Sequence, residues 1–531
     1  MNPYRLPLQD RVLGPLLRAA GREHGDRPYL TVDGVTHSFA RTDHVVRSLA
    51  RGLRARGITK GDAVALMLPN CAEFVFAWYA SCLVGAIWVP VNPAFEGDLL
   101  DYALTDSGSR ALIVHRSLVP ALATLPAATL RSLAWVTVVG GTAGLTLPEG
   151  PGAWLDWAAM QQEHGPDPEV PCSYTDVQCV MYTSGTTGRA KGVVMPNGHF
   201  FASTGVFLRA LELTRDDVLF TPLPLFHGLA SRLGVLPALM VGAHVHVADK
   251  FSATRFWQQV TECGATVGHT IFTIPPILKG QPPGPFDRAH RLRAMYNASF
   301  DAEFEQRFGV RLVEAYGMTE TGLTIYSAPA DRVPGSCGRI DDDWEAAIVD
   351  EQGHALPDGE TGEIVLRPRL PSIMMRGYLN KPAETLQTLG DLWFHTGDYA
   401  RRDTDGRFWF TGRKKERIRR RGENISAWEI ERAIQDHPAV RDCAAVAQPA
   451  RAGEDDIRVV LSLQPDGRLE PAELVDWLHG RLPAFMIPRY VEIVDELPYT
   501  ATAKVEKFRL ISDGLSPTAW DREAQAGGGR G

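Results

Sequence analysis

The sequence predicts an α/β fold: a large N-terminal domain of two α/β parts and a β-rich part, followed by a small α+β C-terminal domain. Three observations predict it. Amphipathic helix patterns alternate with short apolar runs over the first 170 residues and again from 177 to about 330. From 331 to 411 the pattern changes to short Gly turns between alternating segments, as in DGETGEIVLRP and GRFWF, which indicate antiparallel strands. A basic run, GRKKERIRRRG at 412–422, then precedes one amphipathic helix, two strand-like runs and a further helix.

Taken in order, the runs 63–67 and 111–114 read as buried strands. The stretch from Phe74 to Phe95 has no charge and nearly the length of a membrane span, but Gly85, Pro90, Asn92 and Pro93 interrupt it. A helix at 74–83, a Gly break and a strand at 86–91 account for it. The Pro-rich connector 165–176 separates the first α/β part from the second, where a strand leads into a Gly/Thr-rich loop at 183–188. After the basic run, Trp428, Ile430 and Ile434 are expected on one side of a helix, followed by strands at 444–447 and 457–463 and a helix at 471–481. The expected domains are 1–412 and 413–512, with a Gly-rich tail, 513–531, read as disordered.

The chain has 531 residues, 44% of them hydrophobic and 22% charged, as in an ordinary globular protein long enough for large cores. The net charge of −8 argues against a nucleic-acid coat. The seven cysteines are scattered, with no CxxC pair, so neither a zinc ribbon nor a disulfide framework is written here, and a reducing compartment fits. The opening MNPYRLPLQDRVLG has no apolar core of secretory length, so no signal peptide is expected and a cytoplasmic setting is.

The sharpest segment is Tyr182-Thr183-Ser184-Gly185-Thr186-Thr187-Gly188-Arg189-Ala190-Lys191-Gly192. Glycines let backbone N–H groups turn inward, and hydroxyls and a lysine add donors, which is what a polyphosphate requires. It is not a Walker A loop, because Gly188 and Lys191 are too far apart for GxxxxGK[ST]. Read alone, it is either a phosphate cradle or a flexible Ser/Thr/Gly surface loop.

TSGTTG-x-x-KG resembles the signature of the adenylate-forming superfamily, and further segments follow in that family's order. These are Pro224-Leu225-Phe226-His227-Gly228, Tyr316-Gly317-Met318-Thr319-Glu320-Thr321, Pro334-Gly335-Ser336-Cys337-Gly338-Arg339, Trp393-Phe394-His395-Thr396-Gly397-Asp398, Gly412-Arg413-Lys414-Lys415, Arg421-Gly422-Glu423-Asn424 and Pro498-Tyr499-Thr500-Ala501-Thr502-Ala503-Lys504. The match runs from about residue 25 to 510. It implies an acyl-CoA synthetase that makes an acyl-adenylate from ATP and a carboxylic acid and then a coenzyme A thioester. It also implies a mobile C-terminal lid with its hinge near Lys415.

The resemblance implies the following roles. Thr183, Ser184, Gly185, Thr186, Thr187 and Lys191 hold phosphates; Glu320 and Thr183 hold Mg²⁺. Tyr316 stacks on adenine beside Ala298, Gly317 and Met318, and Thr319 donates to the α-phosphate. Asp398 accepts the ribose hydroxyls, and Arg413 reaches ribose or phosphate. Lys504 bridges the attacking carboxylate and the phosphate. Arg421, Gly422 and Glu423, with Arg419 and Arg420, face coenzyme A. His227 gates the thiol channel or lines the acyl pocket with Ala230, Ser231, Ile271, Phe272, Ala298, Ser299, Gly317 and Met318. These mostly apolar and small residues favour a hydrophobic or aromatic acid. No buried Lys or Arg is evident for a second carboxylate, though Arg232 is near. The expected partners are that acid or its acyl-adenylate and a second copy of the chain in a homodimer, without nucleic acid.

Two departures keep other readings open. The family's Gly-Gly-Ala-Pro-like turn is replaced by Met295-Tyr296-Asn297-Ala298-Ser299-Phe300, a version closer to carnitine/crotonobetaine-type CoA ligases, and Ala503 stands where Gly usually precedes the lysine. A member that only transfers a preformed acyl-adenylate to the thiol is one alternative. An aryl or acyl carrier-protein loader is another, and a degenerate nucleotide-binding scaffold a third.

Overall fold

The computed structural model describes residues 2–183, 190–297, 299–413, 417–420, 423–450, 455–499 and 505–527. The chain divides into two compact units. The first holds Met1–Thr183, Ala190–Glu345 and Pro368–Gln387; the second holds Ala346–Arg367 and Thr388–Gly531. Most of the antiparallel β-rich part belongs with the C-terminal unit.

The first unit is built on two sheets. One has eight strands, in the order Gly377–Tyr378, Lys191–Pro196, Val177–Thr183, Ile87–Pro90, Ala63–Met67, Ala111–His115, Trp135–Val139 and Trp154–Asp156. It is parallel except where Lys191–Pro196 runs back beside Val177–Thr183 and pairs with Gly377–Tyr378. The expected helix, break and strand stand at Ala72–Leu83 and Ile87–Pro90. Ten of that helix's twelve residues are buried, so its apolar character is that of a core helix. Among the described residues no helix is long and apolar enough to cross a membrane.

The second sheet has nine strands. Its middle, His244–Val247, Val218–Thr221, Val267–His269, Ala294–Asn297 and Arg311–Met318, is parallel. Gly322–Tyr326 then returns antiparallel to Arg311–Met318. The helix Asn197–Leu211 is apolar on nearly every face because it packs against strands of both sheets; only Arg209 of its fifteen residues is not buried. Its chain leaves through Glu212 in the left-handed conformation, φ 49°.

In the second unit, Thr361–Pro368, Trp393–Arg402, Leu389–Gly390 and Phe408–Arg413 form an antiparallel sheet, joined at its edge by Trp344–Val349. A four-stranded sheet follows, in the order Val440–Pro449, Asp455–Leu463, Tyr490–Val494 and Trp520–Asp521. Its core gathers Ile425, Ile430, Ile434, Val459, Leu461 and Leu474. In the helix Ala427–Gln435, Ile430 and Ile434 face this core one turn apart. Trp428 does not share their side: 428 and 430 lie far apart around a helix, and the indole meets Phe410 edge-on at 5.8 Å. The tail is not wholly disordered. Trp520–Asp521 pairs with Tyr490–Val494, and Arg489 holds Asp521 at 3.1 Å, which anchors the helix Arg522–Gly527.

Candidate active site

Open parallel sheets present ligand sites at the carboxyl ends of their strands. Here the second sheet of the first unit delivers the motif residues there in succession. His227 follows Val218–Thr221, Phe272 follows Val267–His269, Ser299 follows Ala294–Asn297, and Thr319 and Glu320 follow Arg311–Met318. The phosphate-loop motif hangs at the carboxyl end of Val177–Thr183 in the other sheet. Thr183 pairs with Lys191 across its base, and the Thr183 hydroxyl reaches the Lys191 carbonyl at 3.4 Å. Ser184, Gly185, Thr186 and Thr187 lie outside the described residues.

Tyr378 joins these parts. Its hydroxyl donates to Glu320 Oε1 at 2.8 Å, and Lys191 Nζ sits 4.6 Å from its ring centroid, in cation–π position. Burial, then the Glu320 charge, pushes the phenol pKa up, so Tyr378 stays a donor. Its backbone is fixed by pairing with Val193 and by Leu379 N–H donating to Gly192 O at 2.7 Å. Glu320 is 7% exposed, and its carbonyl accepts Met375 N–H at 2.8 Å. Sequence reading missed Tyr378. The one available signal was a Gly-Tyr dipeptide bounded by turn residues, Gly377 at φ 146° and Asn380 at φ 55°.

Tyr316, Gly317 and Met318 end their strand at a register shift, which the hairpin to Gly322 creates. At Gly317 a Cβ would stand 2.2 Å from Gly322 O and 2.7 Å from Leu323 Cα, so only glycine fits. His227 caps the short turn after it: Leu229 N–H donates to Nδ1 at 3.3 Å. Ser231 is buried, and its hydroxyl donates to His227 O at 3.1 Å. Ala230 is also buried, whereas Phe272 is 47% exposed.

Tyr296 and Asn297, which replace family glycines, are absorbed by packing. The Tyr296 ring lies 6.0 Å from that of Phe207. Asn297 is fully buried; its amide donates to Ser299 O at 2.8 Å and its oxygen accepts the Thr270 hydroxyl at 3.2 Å. Ala298 lies outside the described residues.

The expectation of no evident buried cation is corrected by Arg232, which is 6% exposed on a π-helical turn, Ser231–Val235. Sequence alone could not place it inside, because that turn breaks the helical period on which burial is read.

In the second unit, Asp398 is buried in Trp393–Arg402 and registers against Arg413 on the next strand, Oδ1 to Nε 3.5 Å. Thr396 Oγ1 accepts Asp398 N–H at 3.1 Å. Glu423 begins the strand Glu423–Ser426, opposite Arg420. Lys415, Arg421, Gly422, Ala503 and Lys504 lie outside the described residues.

The donors suit a nucleotide and its metal. Among the described residues no three His, Cys, Asp or Glu side chains cluster as a metal cage. Magnesium needs none: it keeps waters and phosphate oxygens and takes one or two carboxylates, of which Glu320 would supply one. Magnesium there would neutralise phosphate charge.

The family described as AMP-binding enzyme matches residues 17–379, and the AMP-binding enzyme C-terminal domain matches 429–504. The crotonobetaine/carnitine–CoA ligase of Salmonella paratyphi A is 32% identical over 502 residues, 92% of this chain and 96% of that protein. Among solved structures, the anthranilate CoA ligase AuaEII in complex with anthranoyl-AMP superimposes with a TM-score of 0.86 at 24% identity, over 97% of this chain and 99% of that one. ATP-bound MatB from Rhodopseudomonas palustris gives 0.82 at 24% identity, over 94% and 98%. The chain thus belongs to the AMP-binding enzymes of the adenylate-forming superfamily, as one of the acid–CoA ligases that work with ATP, magnesium and coenzyme A.

Proposed function

We propose that this enzyme activates a hydrophobic or aromatic carboxylic acid in the cytoplasm. The carboxylate oxygen attacks the α-phosphorus of ATP and pyrophosphate leaves. The sulfur of coenzyme A then attacks the acyl carbon, its proton goes to solvent, and AMP leaves. One observation carries this reading: Tyr378 holds the phosphate-loop lysine on its ring and the candidate metal carboxylate on its hydroxyl. A cation, a metal ligand and a donor loop then converge where charge grows on the α-phosphate.

Thr183, Ser184, Gly185, Thr186, Thr187 and Lys191 bind the phosphates, and Glu320 with Thr183 takes the metal. Tyr316, Gly317, Met318 and Ala298 receive adenine, and Thr319 donates to the α-phosphate. Asp398 accepts the ribose diol beside Arg413. Lys504 enters from the 413–512 lid, hinged near Lys415, to bridge carboxylate and phosphate. Arg421, Gly422 and Glu423 meet coenzyme A. His227, Ser231, Phe272, Ser299 and Gly317 line the acyl pocket. Tyr378 is a positioning residue.

This reading disfavours a betaine of the crotonobetaine kind. A quaternary ammonium needs a carboxylate or an aromatic cage, and the buried group beside His227 and Ser231 is a positive arginine. An aromatic acid is in keeping with the anthranilate ligase among its structural neighbours. A cytoplasmic setting is in keeping with seven scattered cysteines among which the sequence has no CxxC pair.

The test is incubation with Mg·ATP, coenzyme A and a panel of benzoates and aliphatic acids, with thioesters and AMP read by mass spectrometry. ATP-dependent thioester from an apolar or aromatic acid is expected, and Glu320→Gln is expected to lower kcat by about 100-fold or more. Preformed acyl-adenylates run alongside; thioester from these but never from ATP and acid would leave thiolation alone. No thioester from either source would refute the reading.

A further inference from the structure

Arg232 is a buried cation that no carboxylate among the described residues answers. Its guanidinium Nη1 lies 3.4 Å from His199 Nδ1, its centre lies 5.9 Å from the Phe200 ring centroid, and Nε has no hydrogen-bond partner. Among the described residues no carboxylate stands within ion-pair distance of it. Burial and the arginine's own charge hold His199 well below the usual histidine range, so the imidazole is a neutral acceptor and cancels no charge. Burial likewise keeps Cys179 a thiol and Tyr296 a phenol. Among the described residues Glu320 is the anion whose charge reaches it. It lies beyond ion-pair distance and accepts from Tyr378 instead. Desolvation draws the Arg232 pKa down to about 10, still charged at neutral pH.

A charge removed from water without a partner is costly, so a fold keeps one where a ligand supplies the partner. The position agrees. Arg232 follows Ser231 on the π-turn, a distortion that collects at functional sites, and its carbonyl is held by the Thr204 hydroxyl at 2.9 Å. A Cβ built on Gly228 would meet Nη2 at 3.7 Å and Met181 Sδ at 3.4 Å. The guanidinium thus lies within van der Waals reach of a side chain at position 228, next to His227.

From this geometry we infer that Arg232 binds a second carboxylate at the far end of the acid, so that the preferred substrate is a dicarboxylic acid with an apolar or aromatic body, thioesterified at one end. The inference rests on the CoA-ligase reading given above. A guanidinium fork receives a carboxylate through two N–H donors, including the Nε that the fold leaves unsatisfied.

The experiment compares kcat/KM for matched acids of equal skeleton: hexanoate with adipate, and benzoate with terephthalate. The wild-type enzyme is expected to prefer a diacid by about tenfold or more, and Arg232→Met to lower the diacid-to-monoacid ratio by about 30-fold. Arg232→Lys, which keeps charge but not the fork, is expected to fall between. Thermal midpoints and Mg·ATP titration accompany both variants. A wild-type enzyme that prefers the monoacid in every pair overturns the inference, whether or not the variants fold. So does an Arg232→Met enzyme that loses both substrates equally with altered Mg·ATP binding, since Arg232 would then serve Glu320. Absence of thioester from every acid strikes the CoA-ligase reading itself, whereas thioesters from monoacids alone strike only this inference.

Discussion

Tyr378 makes two contacts of different kind, and they can be separated by substitution. Phenylalanine keeps the ring under Lys191 and removes the hydroxyl from Glu320; leucine removes both. A hydrogen bond to a charged group contributes about 1.5–3 kcal/mol. Tyr378→Phe is therefore expected to weaken magnesium binding, raising the Mg²⁺ needed for half-maximal rate by about tenfold. Tyr378→Leu should add a rise in KM for ATP of about fivefold, the worth of an exposed cation–π contact with some loss of packing. Steady-state kinetics at varied Mg²⁺ and ATP checks both, and equal effects of the two substitutions would deny the ring a part. Lys191 and Glu320 could be picked out in the sequence because each sits in a dense local motif. Tyr378 could not: its partner Glu320 is 58 positions away. Arg232 was legible only as a neighbour, since nothing local told that its charge was buried.

At the scale of an element, the hairpin of Arg311–Met318 and Gly322–Tyr326 carries the motif proposed to receive adenine and metal, and its tightness depends on Gly317. A methyl there would press on backbone atoms at 2.2 and 2.7 Å, which cannot rotate away as a side chain could. Gly317→Ala must therefore open the hairpin, at a cost of about 1–3 kcal/mol. We expect a lower thermal midpoint and ATP affinity weakened by about tenfold, read by calorimetric titration; unchanged affinity would show that the hairpin does not shape the nucleotide site. The strand, turn and strand were readable from the apolar run and its Gly-Met-Thr-Glu break. The register shift at Tyr316 was not, because it is set by the partner strand. The Tyr296-Asn297 departure shows the same limit from the other side. The departure kept other readings open in the sequence; in the structure Phe207, Thr270 and Ser299 take up both side chains.

At the scale of the whole molecule, each unit has a core of its own, and the smaller one contains a buried ion pair. Arg458 binds Glu492 through two contacts, 2.7 and 3.1 Å, and donates to Leu510 O at 2.7 Å, tying two strands to the helix Lys507–Asp513. Both residues are nearly inaccessible, 3% and 6% exposed. Removing one partner strands the other charge, so Arg458→Met is expected to cost about 3–5 kcal/mol, and Arg458→Met with Glu492→Leu markedly less. Thermal unfolding of the full chain decides it: a double variant no more stable than the single one would mean that the hydrogen bond to Leu510, not the charge, is what matters.

The amino-acid order by itself determined the alternation of helices and strands, the antiparallel change of style after 331 and the residues of the motifs, because periodicity, turns and local donor density are properties of neighbouring positions. Only the tertiary structure decided where the compact units divide, that Tyr378 stands between Lys191 and Glu320, and that Arg232 is enclosed without a counter-charge among the described residues. The physical reason is that burial and charge balance belong to what surrounds a side chain, and those surroundings come from strands and helices far away in the chain.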